Sequence, residues 1–195
     1  MDIPALITLA FVASITPGPN NLMLLASGMN HGVTRTLRHV AGVSLGFAFL
    51  IFLVAMGLGT LFERYDALEV VLKAVGGCYL TYLAWRIFTT TGVKAAEGTA
   101  APLTFLQAAA FQWVNPKAWV MATTATSTLL DTEATVIVGA ASLTAVFWIV
   151  NLPCILTWMF SGAYAQRWVE NERHVTFINR TLGLLLGATV VLLLV

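Results

Sequence analysis

Lys117 stands about a dozen residues from either end of an otherwise uncharged apolar segment, directly after a helix breaker, in the run Val114-Asn115-Pro116-Lys117-Ala118-Trp119. A second breaker, Thr16-Pro17-Gly18-Pro19-Asn20-Asn21, lies in the middle of the first apolar segment. In hydrocarbon an ammonium at mid-depth costs about 2.5–3.5 kcal/mol on insertion scales, and unpaired backbone is also unfavourable. At about 1.5 Å per residue, Lys117 is too deep for its side chain to reach the surface. Both breaks therefore call for a protein-lined or wet cavity. Proline lacks the N–H that the helical ladder needs, but it suits the first position of a new helix. Pro19 and Pro116 are each expected to start a second half-helix whose free N–H groups point toward the membrane centre, with Asn20 and Asn21 on the first turn of one and Asn115 capping the other.

That arrangement has a definite chemistry. A lysine beside the positive end of a helix dipole is unfavourable without an anion, and two helix N-termini plus an ammonium make an anion site. A carboxylate fits it. Asn20, Asn21, Asn115 and Gln112 offer uncharged acceptors for an ammonium. The set, with Pro17 and Gly18 completing the first break, suits a zwitterionic amino acid, although another small organic anion satisfies the same chemistry. Asn151, beside Pro153 in a later apolar segment, reads equally as part of a kink or as a cavity-lining amide.

Other chemistries find little support. HExxH and Walker A patterns are absent from the sequence, and Gly42-Val43-Ser44-Leu45-Gly46, which has GxSxG spacing, lies inside an apolar run where its glycines read as helix-packing positions. No catalytic residue, cofactor or nucleotide is therefore expected, and uphill transport would draw on an ion gradient. His31, His39 and His174 read as dispersed loop residues, which disfavours a transition-metal site. Cys78 and Cys154 lack CxxC spacing and read as small buried packing residues. A formal net charge of +1 gives no basic patch for nucleic acid.

The elements that must position these residues are membrane helices. Hydrophobic residues make up 58% of the chain and charged residues 10%, against about 25% charged in soluble domains. Mean hydropathy is +0.85. Six spans are expected, at residues 3–29, 40–62, 68–88, 103–130, 134–163 and 176–195, the first read as a retained span and not a cleaved leader. A polar link at 30–39 and a tight turn at 131–133 join antiparallel neighbours. The Thr-, Gly- and Ala-rich stretch 89–102 reads as a linker between a first three-helix repeat (1–88) and a second (103–195). Of the ten Lys and Arg residues, Arg35, Arg38, Arg86, Lys94, Arg167, Arg173 and Arg180 fall on one side and Arg64 and Lys73 on the other. This asymmetry places the first side in the cytoplasm and both termini outside. Three spans per repeat is odd, so the second repeat must enter the membrane inverted. The expected fold is an all-α polytopic membrane protein with broken first and fourth helices, a pattern that points to a transporter's binding site.

At these residues the chain resembles the lysine-exporter (LysE/RhtB) family of bacterial inner-membrane amino-acid exporters. The resemblance spans nearly the whole chain. It is carried by Thr16-Pro17-Gly18-Pro19-Asn20, Ala41-Gly42-Val43-Ser44-Leu45-Gly46, the stretch Gly76-Gly77-Cys78-Tyr79-Leu80-Thr81-Tyr82-Leu83-Ala84-Trp85, and Asn115-Pro116-Lys117-Ala118. It implies efflux of amino acids or close derivatives driven by proton motive force. The run 16–22 followed by 42–46 most resembles the cysteine/O-acetylserine branch, with the homoserine/threonine branch next. The expectation is a multi-pass secondary transporter of the inner membrane that exports small, mostly neutral amino acids. Its partners would be the substrate, membrane lipid and protons, with room for a homo-oligomer. A passive facilitator is the alternative, and an intramembrane enzyme a more distant one.

Overall fold

The computed structural model describes residues 2–91, 101–129, 135–168 and 172–194. Every regular element among them is helical. α1 (Ile3–Ile15) is started by Asp2, whose carboxylate accepts the Ala5 N–H at 3.1 Å. It ends where Pro17 forces Thr16 into an extended conformation (φ −65°, ψ 145°). Gly18 is also extended, and Pro19 opens α2 (Pro19–Leu53) as its first residue. α1 is thus a half-helix of 13 residues, about 20 Å long against a hydrocarbon core of about 30 Å.

α2 contains one break. Gly32 has φ 74° and ψ 177°, in the region that glycine reaches without a Cβ clash. It divides the element into runs 19–31 and 33–53. The stretch 30–39, expected as a polar link, is therefore helical on both sides of a one-residue hinge. Its polar groups find partners inside the fold: Thr36 Oγ1 donates to Gly32 O at 2.8 Å and shares a 2.9 Å hydrogen bond with Ser27 Oγ. A π-turn (Val54–Leu58) and α3 (Gly59–Arg64) lead into α4 (Asp66–Phe88).

α5 (Phe105–Phe111) starts from a capping box in which Thr104 and Gln107 satisfy each other's backbone N–H groups. A 3₁₀ turn (Gln112–Val114) and extended Asn115 separate it from α6 (Pro116–Leu129). The two expected breaks thus lie at Pro19 and Pro116. α7 (Val136–Trp168) runs unbroken through Pro153, which corrects the expected interruption there. One missing backbone hydrogen bond is tolerated in a helix whose other bonds are intact. α8 (Glu172–Leu194) completes the chain. The turn at 131–133 and most of the 89–102 linker lie outside the described residues.

Three helices among the described residues are long and apolar enough to cross a membrane: Pro19–Leu58, Val136–Gln166 and Glu172–Val191. The burial pattern fits such a solvent. Leu106, Phe177, Val70, Leu184 and Trp85 face outward, while Asn21, Ser14, Gln112, Asn115, Asn151 and Asn179 are buried. Cys154 is buried as expected, whereas Cys78 is exposed on the outer face of α4.

Small residues set the helix pairings, because backbones can approach only where side chains are absent. The first run of α2 crosses α7 with Gly28 against the Met159 carbonyl and Gly162 against that of Leu25. The second run packs on α5 through Gly42 and Gly46, which meet Phe105 and Ala109. α4 pairs with α8, where Gly183 meets Ala84 and Phe88. Two apolar clusters fill the interior: one around Leu24, Met29, Phe111 and Met159, the other around Phe47, Ile51, Trp119 and Phe147. A cavity lies beside each.

Candidate functional site

The first cavity forms where the two breaks meet. Its lining includes Ser14, Gly18, Asn20, Asn21, Phe47, Asn115, Lys117, Met121 and Asn151. Gln112 joins the set one step back, through a reciprocal amide pair with Asn20: Asn20 Nδ2 donates to Gln112 Oε1 at 2.8 Å and Gln112 Nε2 returns a bond to Asn20 Oδ1 at 3.1 Å. Pro17, Pro19 and Pro116 make the breaks themselves and do not face the cavity, except that the Pro17 carbonyl turns toward Lys117.

The end of α1 is the electrostatic centre of the site. A helix C-terminus leaves carbonyls without intrahelical donors and carries partial negative charge. Here each finds a partner. Asn21 Nδ2 donates to Ser14 O and Thr16 O, both at 2.8 Å. Trp158 Nε1 reaches over from α7 to Ile15 O at 3.1 Å. Lys117 Nζ donates to Thr16 O at 2.7 Å, Thr16 Oγ1 at 2.9 Å and Pro17 O at 3.3 Å. All three ammonium hydrogens are engaged. The sequence reading set Lys117 against the positive starts of two half-helices. The structure adds the negative end of a third, which stabilises the charge in place. Gly18 makes the approach possible, since a Cβ there would lie 2.7 Å from Lys117 Cδ.

Two expected roles change. Asn115 stands at the start of α6, but its side-chain oxygen caps nothing; it is buried without a hydrogen-bond partner. Its backbone carbonyl takes the Ala118 N–H at 3.0 Å instead, and Pro116 has no N–H to cap. Asn21 is a structural cap on α1. Asn151, by contrast, lines the cavity: its Nδ2 donates to Ser14 Oγ at 3.0 Å, and its Oδ1 is buried and unpartnered. The cavity therefore presents one ammonium and two uncommitted amide oxygens. Its volume is about 20 Å³, where a single water needs about 10–15 Å³. It is too small for an amino acid, so loading it requires the half-helices to separate.

Ser14 was not singled out from sequence, although it lies three residues before the first break. A second cavity was missed altogether. It is lined by Met23, Ser27, Asn30, His31 and His39 of α2, Arg86 of α4 and residues 101–103, with a volume of about 60 Å³. His31 and His39, expected as loop residues, sit on α2 and share this wall. Among the described residues no group of three or more His, Cys, Asp and Glu could hold a metal ion.

Comparison with known proteins identifies the family. Residues 11–195 match the family model described as LysE type translocator. The chain is 33% identical over 164 residues to the cysteine/O-acetylserine efflux protein of Escherichia coli (strain K12), covering 82% of each chain. It is 35% identical over 130 residues to the protein of that name from Klebsiella pneumoniae subsp. pneumoniae, spanning 66% of this chain and 65% of that one. No solved structure matches it. The chain belongs to the LysE family of translocators, a membrane transporter and not an enzyme, in the part of that family occupied by proteins named for cysteine and O-acetylserine efflux.

Proposed function

We propose that the chain is a secondary transporter of the bacterial inner membrane. It exports small, mostly neutral amino acids or their derivatives, with cysteine and O-acetylserine as first candidates from the names of its relatives, and it draws on proton motive force. The observation that carries this reading is the complementarity of the first cavity to a zwitterion. Asn115 Oδ1 and Asn151 Oδ1 are buried acceptors without donors, and a buried unmade hydrogen bond costs about 1–3 kcal/mol. A substrate ammonium would satisfy both. The substrate carboxylate would take Lys117, displacing the Thr16 and Pro17 carbonyls, and would meet the starts of α2 and α6. Binding and opening are then one event: the ammonium that pins the first break is the group the substrate captures.

The architecture proposed around this site is six spans in two inverted repeats, residues 1–88 and 103–195 joined by the linker 89–102, with both termini periplasmic. Three pairings support it. The first span packs on the fifth (α7), its counterpart the fourth (α5) packs on the second, and the third and sixth (α4 and α8) pack on each other. Exchanging the halves maps this set onto itself. The Lys and Arg asymmetry supports the orientation. Reporter fusions after residue 195 should read periplasmic and fusions at 92–100 cytoplasmic; both on one side would overturn the inverted arrangement.

The decisive test of function is transport by purified protein in liposomes. Labelled O-acetylserine or cysteine should exchange across the membrane, and an imposed pH gradient should drive accumulation. Exchange that ignores the gradient would make the protein a passive facilitator. Absence of flux for every small neutral amino acid would overturn the reading.

A further inference from the structure

His39 is buried in the wall of the second cavity at 1% exposure, and neither ring nitrogen has a hydrogen-bond partner. A neutral imidazole always carries one N–H and one bare nitrogen, so both kinds of polar atom are stranded. The hydroxyls and amides nearby are committed elsewhere. Ser27 and Thr36 bond each other at 2.9 Å. Asn30 and Asn179 form a reciprocal amide pair at 2.8 and 2.9 Å, and Asn179 also donates to Thr90 O at 3.1 Å. Arg86 Nη2 donates to Ala101 O at 3.1 Å. Met23, Ala26, Leu83 and Leu103 supply the apolar part of the wall.

We propose that His39 is a proton-binding site, and that its protonation favours opening of the second cavity to water, so that proton movement is linked to the substrate cavity along the first run of α2. This rests on the transport reading above. The sign follows from the surroundings. The titratable and charged groups lining the cavity are His31, on the same helix, and Arg86, on α4. Arg35 lies near His31 on the outer side of α2. α5 and residues 101–103 contain no titratable side chain. On α7 Tyr164 is exposed, and on α8 Arg180 lies over the Phe88 ring. Among the described residues no carboxylate lines the cavity. An imidazolium buried here would face cations, apolar groups, and hydroxyls and amides already bonded to other partners, which is strongly unfavourable. In an open cavity water would hydrate both nitrogens. The neutral ring therefore goes with the closed state and the charged ring with the open one, and a proton shifts the population only through that difference.

The geometry supplies the link between sites. Asn20 and Asn21 face the first cavity, while Met23, Ala26, Ser27 and Asn30 face the second. These positions follow the 3- and 4-residue spacing of one helix face. About 15 Å of continuous helix separates Asn20 from Asn30, and the Gly32 hinge lies just beyond. A tilt of this run that opens one cavity therefore acts on the other.

Two measurements test the proposal. Ring-nitrogen spectra of the purified protein, assigned among its three histidines by His-to-Gln variants, should show His39 gaining a proton as the pH is lowered across the range in which gradient-driven accumulation operates. In liposomes His39→Gln, which keeps a donor and an acceptor but cannot titrate, should retain substrate exchange within about threefold. It should lose pH-gradient-driven accumulation by at least about tenfold. A His39 ring that stays neutral across that range, or His39→Gln with wild-type gradient-driven accumulation, would overturn the proposal while leaving export intact. A titrating His39 in a protein that moves no amino acid would instead overturn the transport reading and keep the proton site.

Discussion

The two cavities are built on the same helix but leave opposite accounts of their hydrogen bonds. Around Lys117 the charged group is fully engaged, by Thr16 and Pro17, and two neutral amide oxygens, of Asn115 and Asn151, are stranded. Around His39 the neutral amides and hydroxyls are paired, and the titratable ring is stranded. Buried polar groups are nearly always satisfied, so what remains unsatisfied indicates what each site lacks. The first lacks a donor with several hydrogens, as a substrate ammonium has. In the second, the stranded group is one that can take up a proton. On the proposed reading, one region is shaped for a molecule and the other for an ion.

The sharpest way to break this contrast is to remove one charge at a time. Lys117→Met keeps the apolar stem and deletes the ammonium, so it should abolish both exchange and gradient-driven accumulation, a loss of at least about 100-fold, with membrane insertion unchanged. Lys117→Arg should recover little, because a planar fork cannot replace a compact ammonium between carbonyls. Wild-type substrate affinity in purified Lys117→Met would show that the lysine only pins the break. The contrast with His39→Gln is the point: the first should lose all movement, the second only its coupling.

A second test separates binding from stability within the Lys117 cavity. Asn115→Leu removes a stranded acceptor and substitutes a side chain of similar size. It should weaken substrate affinity about tenfold, which corresponds to about 1.4 kcal/mol. Thermal stability should hold or rise, since deleting an unsatisfied buried group relieves its desolvation. Equal losses in both would mean that Asn115 is satisfied in the protein and serves the fold.

Gly18→Ala should act more gently. Its Cβ would press on Lys117 Cδ and Nζ, at 2.7 and 3.1 Å, but the neighbour is the end of a flexible side chain and can move. A change of about threefold in substrate affinity is expected, with the pH dependence of accumulation unaltered. A shift in that pH dependence would mean the two cavities share one titrating group.

How much of this was legible in the sequence depends on which chemistry is local. Pro19 and Pro116 announce helix starts by what a proline lacks, and the structure begins α2 and α6 at those residues. The convergence of Asn20, Asn21, Asn115 and Lys117 on one cavity was likewise foreseeable, because a lone buried charge needs every polar group within reach, whereas Asn151 read equally as part of a kink. The partners of Lys117 were not, since backbone carbonyls leave no trace in the amino-acid alphabet. The Asn30–Asn179 pair joins residues 149 positions apart, a proximity that only tertiary packing decides. His39 was misread for a related reason. Its polar neighbours made 30–39 look like a loop, whereas Ser27, Asn30 and Thr36 satisfy one another or the helix inside the fold.

The smallest effect belongs to the hinge that both cavities share. Gly32 has nothing within 4 Å of where a Cβ would stand, yet its φ of 74° is one that side chains rarely adopt. Gly32→Ala therefore creates no clash with a neighbour, only local backbone strain of about 1–3 kcal/mol. The chain can relieve that strain by straightening α2, which would shift the face carrying Asn20, Met23, Ser27 and Asn30 relative to α4 and α7. The expected result is a modest fall in thermal stability together with slower exchange at unchanged substrate affinity, because affinity is set at the far end of the run. The matched control is Gly57→Ala, which carries a similar strain (φ 107°) at the end of the next span. It should lower stability alike but leave exchange at the wild-type rate. If both variants slow exchange equally, the effect is general loosening of the fold, and the first run of α2 is not the element that moves.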